Sequence, residues 1–484
     1  MAEIKDDVPT LIDIVRTGKG DIIRAQAAVH LHDNALKGDA EKVILAANPD
    51  LIRAVAVCLQ TGTRIEQAAA AGVLALLCEV VEERHSIATS KVVQPCMQIL
   101  HDGTPTGRLA ASNALMNLAL TVESRLKFMK EVEYSYDLLI RTIENGTVAE
   151  GTLRQNCATI LQAFCATTSG EEGLQARVSL GKGGGIEACV QLMVDGPDQA
   201  RIASAGVLQY LAQVEELKSR FMTAGAVKPL LDFTERESVD MWGRAYAAGA
   251  LCWLSMTHEM MRPLAADDAT CRKGNGGVSS VHQGHDGNAS SFSMAGMSLS
   301  ELAPKARFCA LQKAPMDTAQ ECALEEMKRR TKTLIEADCA KTMCRLLMPP
   351  KGEDGKVTAK PGGSKKKGAL REPDVETAHT HATGALRHLM LDPVGMQHVL
   401  DMNGVTHVTP LLESPNAHLR ANAHAILSLT SLETPFVKAM IRARAPGFYT
   451  NLLEMPKPKP AAPEVDPLAF TQRPVSSSGR VDIL

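Results

Sequence analysis

The sequence predicts an all-α protein built as an α-solenoid, a line of stacked helical repeats. Three observations carry this reading. The chain has 484 residues, whereas a single hydrophobic core stops growing at about 250–300. Its apolar residues recur at helical spacing, and no run alternates in the manner of a strand. One helical motif returns every 40 to 47 residues, a period that marks helical repeat arrays.

The motif is clearest in RLAASNALMNLAL, residues 108–120, where Ala111, Leu115 and Leu118 stand four and three apart. With Leu115 as the reference position, the same register returns at Leu31, Leu74, Leu161, Leu208, Leu251, Leu386 and Ile426. The first six copies are separated by 43, 41, 46, 47 and 43 residues, and the last step is 40. Leu251 and Leu386 lie 135 residues apart, three periods of 45, and a degenerate copy, QECALEEM around Leu324, falls between them. About nine repeats are therefore expected. A second half-pattern alternates with the first: LGKGGGIEACVQLM (180–193), RFMTAGAVKPLLDF (220–233), TLIEADCAKTMCRLL (333–347) and VLDMNGVTHVTPLLE (399–413). Each is a short apolar turn, a small residue, and a helix ending in bulky apolar residues. One such unit cannot cover its own apolar face. Neighbours must stack, and small residues at Ala111-type positions let the helices approach.

Two stretches break the period. Residues 266–303 are Gly/Ser-rich and read as a flexible insertion or linker. Residues 348–373 interrupt one repeat with a basic loop that includes Lys365, Lys366 and Lys367, a run that suits an acidic partner or a nuclear import signal. The expected organisation is a repeat block over 1–265, the insertion 266–303, a second block over 304–455 carrying the basic loop, and a disordered Pro-rich tail over 456–484.

Composition narrows the function. A net charge of −3 and 3% aromatic residues supply neither the electrostatic footprint nor the stacking platforms of a nucleic-acid binder. The N-terminal MAEIKDDVPT is acidic where a secretory signal is basic. The longest apolar run, residues 68–78, is too short to span a bilayer, so no membrane span is expected. The twelve cysteines are scattered without a CxxC pair, as free thiols in a reducing compartment are. A soluble intracellular protein is expected, cytoplasmic with a nuclear pool also consistent.

Chemistry-bearing motifs are few. LGKGGG (180–185) lacks the spacing of a phosphate loop and stands where AGAV and MNGV stand in sister repeats, which makes it a turn between helices. His379, His381 and His388 crowd one repeat without an HExxH or Cys/His pairing, and no GxSxG supplies a nucleophile. The expectation is a non-enzymatic protein with no cofactor, no metal and no small-molecule substrate. Arg24, Arg108, Arg154, Arg201 and Arg244 stand seven residues before successive reference leucines, with His379 in a later copy. Asp102 and Asp195 precede Arg108 and Arg201 by six. The pattern resembles the Asp–Arg ladder of HEAT repeats and reads as a structural ladder joining repeats.

The copies at Leu31–Leu251 and Leu386–Ile426, with GAVKPLLDF as a second-helix pattern and AASNALMNLA as a third, resemble the armadillo-repeat (ARM/HEAT-like) superfamily over roughly three quarters of the chain. The resemblance implies a right-handed superhelix of three-helix units whose third helices line a groove for extended peptides or partner helices. Nuclear-import adaptors of this superfamily carry a Trp and an Asn four apart on each third helix. Here those positions hold Asn113 and Asn117, Gly206 and Tyr210, Gly249 and Trp253, Gly384 and His388, and His424 and Ser428. Asn117, Tyr210, Trp253 and His388 are the residues expected to line the groove. The function implied is a protein–protein interaction scaffold or adaptor. The alternatives are a chaperone or assembly factor for a larger machine, of myosin or ciliary type, and an import-type cargo adaptor.

Overall fold

The computed structural model describes residues 7–18, 20–167, 170–236, 241–256, 318–348 and 372–430. Among these every regular element is a helix. An initial pair, α1 (Val8–Thr17) and α2 (Asp21–Leu36), is followed by helices in threes. They are α3 (Asp39–Ala46), α4 (Pro49–Thr61) and α5 (Arg64–Leu77), then α6 (Arg84–Thr89), α7 (Val93–Asp102) and α8 (Pro105–Leu120). Next come α9 (Val122–Glu131), α10 (Asp137–Asn145) and α11 (Gly151–Cys165), then α12 (Gly170–Lys182), α13 (Gly185–Asp195) and α14 (Asp198–Leu211). The later repeats are α15 (Lys218–Thr223), α16 (Val227–Glu235) and α17 (Met241–Ser255), α18 (Thr318–Glu336), α19 (Cys339–Leu346) and α20 (Glu372–Leu389), and α21 (Pro393–Asp401), α22 (Gly404–Val408) and α23 (Ala417–Thr430).

The repeat logic of the sequence is visible atom by atom. All eight reference residues, from Leu31 to Ile426, sit on third helices and are 0% exposed. Each buried leucine of this kind contributes about 1.5–3 kcal/mol. Residues four before them are small and equally buried at Ala27, Ala70, Ala111, Cys157, Ser204, Ala247 and Ala382. Small side chains there allow third helices to pack on one another. In the first half α2 packs on α5, α5 on α8 and α8 on α11; in the second, α17 packs on α20 and α20 on α23.

The direct packing of α17 on α20 corrects the repeat count. Position 324 lies in α18, a first helix, so the degenerate copy there is not a third helix. Eight third helices occur among the described residues. Along the row of described third helices, the 135-residue interval from Leu251 to Leu386 is a single step.

Helix boundaries follow local chemistry. Asn48, Thr104 and Asp392 cap α4, α8 and α21 with their side chains, each followed by a proline in the first turn. Between first and second helices the backbone reverses through one left-handed residue: Lys91, Gly184, Gly225, Asp338 or Asn403. LGKGGG is such a turn, with Gly184 at φ +100°, a conformation glycine adopts without steric cost.

The chain divides into two units, whose described residues are those of 7–188 with 195–200, and of 189–194 with 201–430. The division falls within the repeat of α12–α14. The stretch expected as an insertion, 266–303, lies outside the described residues, as do Lys365, Lys366, Lys367 and the 456–484 tail. No single helix among the described residues is long and apolar enough to cross a membrane.

Candidate functional site

Asn117, Tyr210, Trp253 and His388 each stand two residues after a buried reference leucine. A two-residue step turns about 200° around a helix, which directs these side chains away from the core, and all four are half-buried. They do not share one role. In the first unit the Asn117 amide donates to the Ala75 carbonyl of α5 at 3.3 Å, which ties two third helices together. In the second unit Tyr210, Trp253 and His388 occupy the same register on α14, α17 and α20. Among the described residues the Trp253 indole N–H has no hydrogen-bond partner.

The histidines beside them are held neutral. Burial, reinforced by Arg387 and Lys218, pushes His388 down to about 3. Burial alone pushes His381 to about 4, and its Nε2 lies 3.3 Å from Gln209 Nε2, so the uncharged ring accepts from the amide. His379, lowered to about 4 chiefly by burial and also by Arg244, hydrogen-bonds the Leu346 backbone at the end of α19.

The positions that hold tryptophan in import adaptors are used here for close packing. A Cβ on Gly249 would lie 2.8 Å from the Gln209 amide, and one on Gly384 2.8 Å from Cys252 Sγ. Side chains of the preceding third helix fill the space a clamping ring would need. In the first unit the equivalent Asn113 accepts from Asn156 at 2.6 Å, and Asn156 also donates to Ser112 at 2.9 Å. These are internal polar ties between α8 and α11.

The five arginines of the repeat register join elements, and one of the two acids expected in the ladder, Asp195, takes part. Each donates to a carbonyl closing the preceding helix: Arg24 to Gly18 (2.8 Å), Arg108 to Leu100 (3.1 Å), Arg154 to Ile143 (2.9 Å), Arg201 to Val194 (2.8 Å) and Arg244 to Thr234 (2.7 Å). Cations near a helix C-terminus satisfy its orphan carbonyls. Arg24, Arg108 and Arg154 also reach an acid about one repeat onward: Glu66 at 2.5 Å, Glu150 at 2.7 Å and Asp195 at 2.8 Å. Asp102, the other acid expected in the ladder, accepts from Gln98 at 3.0 Å. Asp195 belongs to Arg154, forty-one residues before it.

Sequence reasoning missed Glu66 and Glu150, although a signal was present. TRIE (63–66) is a capping box, in which Thr63 donates backbone N–H and hydroxyl to Glu66 at 2.6 and 2.9 Å, and in TVAE (147–150) the Thr147 backbone N–H donates to Glu150 at 3.0 Å. Burial pushes the Glu66 carboxyl up, but hydrogen bonds from Arg24 and Thr63 outweigh it and hold it below the usual range. Glu150 is likewise lowered, first by the Thr147 N–H.

A second surface was not anticipated. A cleft of about 720 Å³ opens between the C-terminal end of α4, α7 and α9, lined by Gln60, Gln67, Gln94, Gln98, Lys91 and Lys127 among others. A smaller one of about 440 Å³ adjoins it through the shared Gln94 and Gln98. The glutamines come from three different helices, so nothing in their linear spacing announces the cleft.

Cys58, Cys78, Cys96, Cys157, Cys165, Cys189, Cys252, Cys339 and Cys344 are free and buried. Burial pushes the thiols of Cys96, Cys157, Cys165, Cys252 and Cys344 up to about 12, so they are protonated near neutrality and poor nucleophiles. Among the described residues no three His, Cys, Asp or Glu side chains gather as metal ligands.

No family model matches the sequence, and no curated protein matches it. Solved structures do. An engineered protein from a structural genomics consortium superposes with a TM-score of 0.55 at 17% identity, over 93% of this chain and 95% of its own. A computationally designed armadillo repeat protein for modular peptide recognition gives 0.45 at 15% identity, over 51% of this chain and 99% of its own. A designed armadillo repeat protein in complex with the peptide (KR)4 gives 0.43 at 14%, over 51% and 99%. The fold is that of armadillo-like helical repeats, as the three-helix units and their buried register independently require.

Proposed function

We propose that this chain is a non-enzymatic protein-binding scaffold that holds an extended peptide or a partner helix along its third helices, with Tyr210, Trp253 and His388 as the anchoring side chains. The observation that carries the proposal is Trp253: a half-buried indole with no polar partner among the described residues, in register with an aromatic and a neutral imidazole. Aromatic side chains of this kind concentrate binding energy at interfaces. Against an import-type clamp stand Gly249 and Gly384, whose space neighbouring side chains fill. Buried free thiols suit work in the reducing cytoplasm or nucleus.

The test is affinity for a partner recovered from native extract and identified by mass spectrometry. Trp253→Ala is expected to weaken binding at least tenfold while helical content and melting temperature stay within experimental error of the parent. Unchanged affinity with the fold intact would remove Trp253 from the site, and paired substitutions at Lys91 and Lys127 would then ask whether the glutamine- and lysine-lined cleft binds instead.

A further inference from the structure

The cleft of about 720 Å³ in the first unit is walled by helices of three successive repeats, and its glutamines are fixed in a shared way. The Gln67 amide donates to the Leu59 carbonyl at 3.1 Å, the Gln94 amide to the Glu131 backbone carbonyl at 2.7 Å and the Gln98 amide to the Asp102 carboxylate at 3.0 Å. Each bond holds a side chain in place and leaves its amide oxygen, an acceptor with two lone pairs, without a hydrogen bond among the described residues. The lining thus carries three anchored acceptors. Lys91, Lys127 and Lys130 share it with one acid, Glu131, and that acid already accepts from the Gln94 backbone N–H at 3.3 Å. Lys91 and Lys127 are exposed and form no ion pair among the described residues. Lys91 is also the left-handed residue that turns the chain into α7, at φ +59°. Sister turns place Gly184 and Gly225 there, where a side chain costs more than none.

A ligand complementary to this lining needs N–H donors in a row and negative charge beside them. An extended peptide with acidic side chains has both. Its N–H groups recur along one edge at every second residue, about 6.8 Å apart. Gln94 and Gln98 stand four residues apart on one face of α7, about 6 Å along its axis. A DNA strand offers charge without backbone donors. We propose that the cleft between α4, α7 and α9 binds an extended acidic peptide segment of a partner protein. Backbone N–H groups of the segment donate to Gln94 and Gln98, and its carboxylates pair with Lys91 and Lys127. The adjoining cleft of about 440 Å³ shares Gln94 and Gln98 and brings Arg141 and Asp137, opposite in charge, so it lengthens the path without changing its sign. This is a second binding site, on other residues than the anchoring row of α14, α17 and α20.

The probe is a fluorescent eight-residue peptide of alternating glutamate and serine, titrated with the full-length protein at low salt. Saturable binding at one peptide per chain is expected. Lys91→Gly combined with Lys127→Ala should weaken it about fivefold or more. The melting temperature of that variant should be no lower, since glycine suits the left-handed turn. Gln98→Ala, which gives up only a bond within its own helix, should weaken binding about threefold to tenfold. The same peptide methylated at every backbone nitrogen should bind about fivefold more weakly, and Trp253→Ala should bind the acidic peptide as the parent does. Five results would each overturn the proposal: no saturable binding, parental affinity in the lysine double variant, equal affinity for the methylated peptide, equal affinity for a lysine–serine counterpart, or loss of binding in Trp253→Ala.

Discussion

The Arg154 guanidinium lies 2.8 Å from the Asp195 carboxylate while its Nε closes α10 through the Ile143 carbonyl at 2.9 Å. Arg154 is 1% exposed and Asp195 39%. One side chain thus finishes one helix and reaches the acid that ends α13.

Because the cation is the buried partner, the two halves of this pair are unequal. Arg154→Ala removes both bonds and leaves the Ile143 carbonyl unsatisfied, an expected loss of about 2–4 kcal/mol. Asp195→Asn keeps an acceptor at a solvent-screened position and is expected to cost under about 1 kcal/mol. Urea unfolding midpoints of the two variants, compared with the double variant, check the inequality.

The capping glutamates set the acid limb of stability. Glu66 and Glu150 titrate below the usual carboxylate range in the folded chain. Their contribution is therefore complete above about pH 4.3, the unfolded value, and is lost as pH falls through the lower folded values. Glu66→Gln, never charged, is expected to be less stable at pH 7 and to lose less stability between pH 5 and 3. Melting temperatures across that range decide it.

The neutral histidines act at higher pH. His379 and His381 titrate at about 4 and His388 at about 3 when folded, against about 6.5 unfolded. Unfolding consequently takes up protons below about pH 6.5, and stability falls from there toward pH 4. His381→Gln and His388→Gln are each expected to reduce that proton uptake by about one, measured from the slope of unfolding free energy against pH.

The two interhelical glycines should respond differently to a methyl group. At Gly249 the obstruction is the end of the flexible Gln209 side chain. Gly249→Ala should cost little, helped by alanine's helix propensity, but it displaces Gln209 from His381. At Gly384 the obstruction is the buried Cys252 Sγ, and Gly384→Ala is expected to cost about 1–3 kcal/mol as overpacking. Thermal melts of the pair separate the two cases.

The all-α class and repeat register were legible because the reference residues from Leu31 to Ile426 repeat one physical problem, an apolar face that only a neighbour can cover. The turn at Gly184 was legible for the same reason, since Gly225 and Asn403 mark sister turns. The residue at 324 misled because helical spacing is identical in first and third helices; only packing distinguishes them. The arginine acceptors escaped because Glu66 and Glu150 look like helix caps, and their second task depends on a donor forty-two residues away. The cleft at Gln94 escaped because its walls meet only in three dimensions.

Three arginines of the repeat register precede their acceptors in the chain: Arg24 before Glu66, Arg108 before Glu150, Arg154 before Asp195. During synthesis the donor of each of these three pairs leaves the ribosome first and waits for roughly forty more residues, so these links close only when the following repeat arrives. The order of translation is thereby written into the links themselves, from the amino end onward.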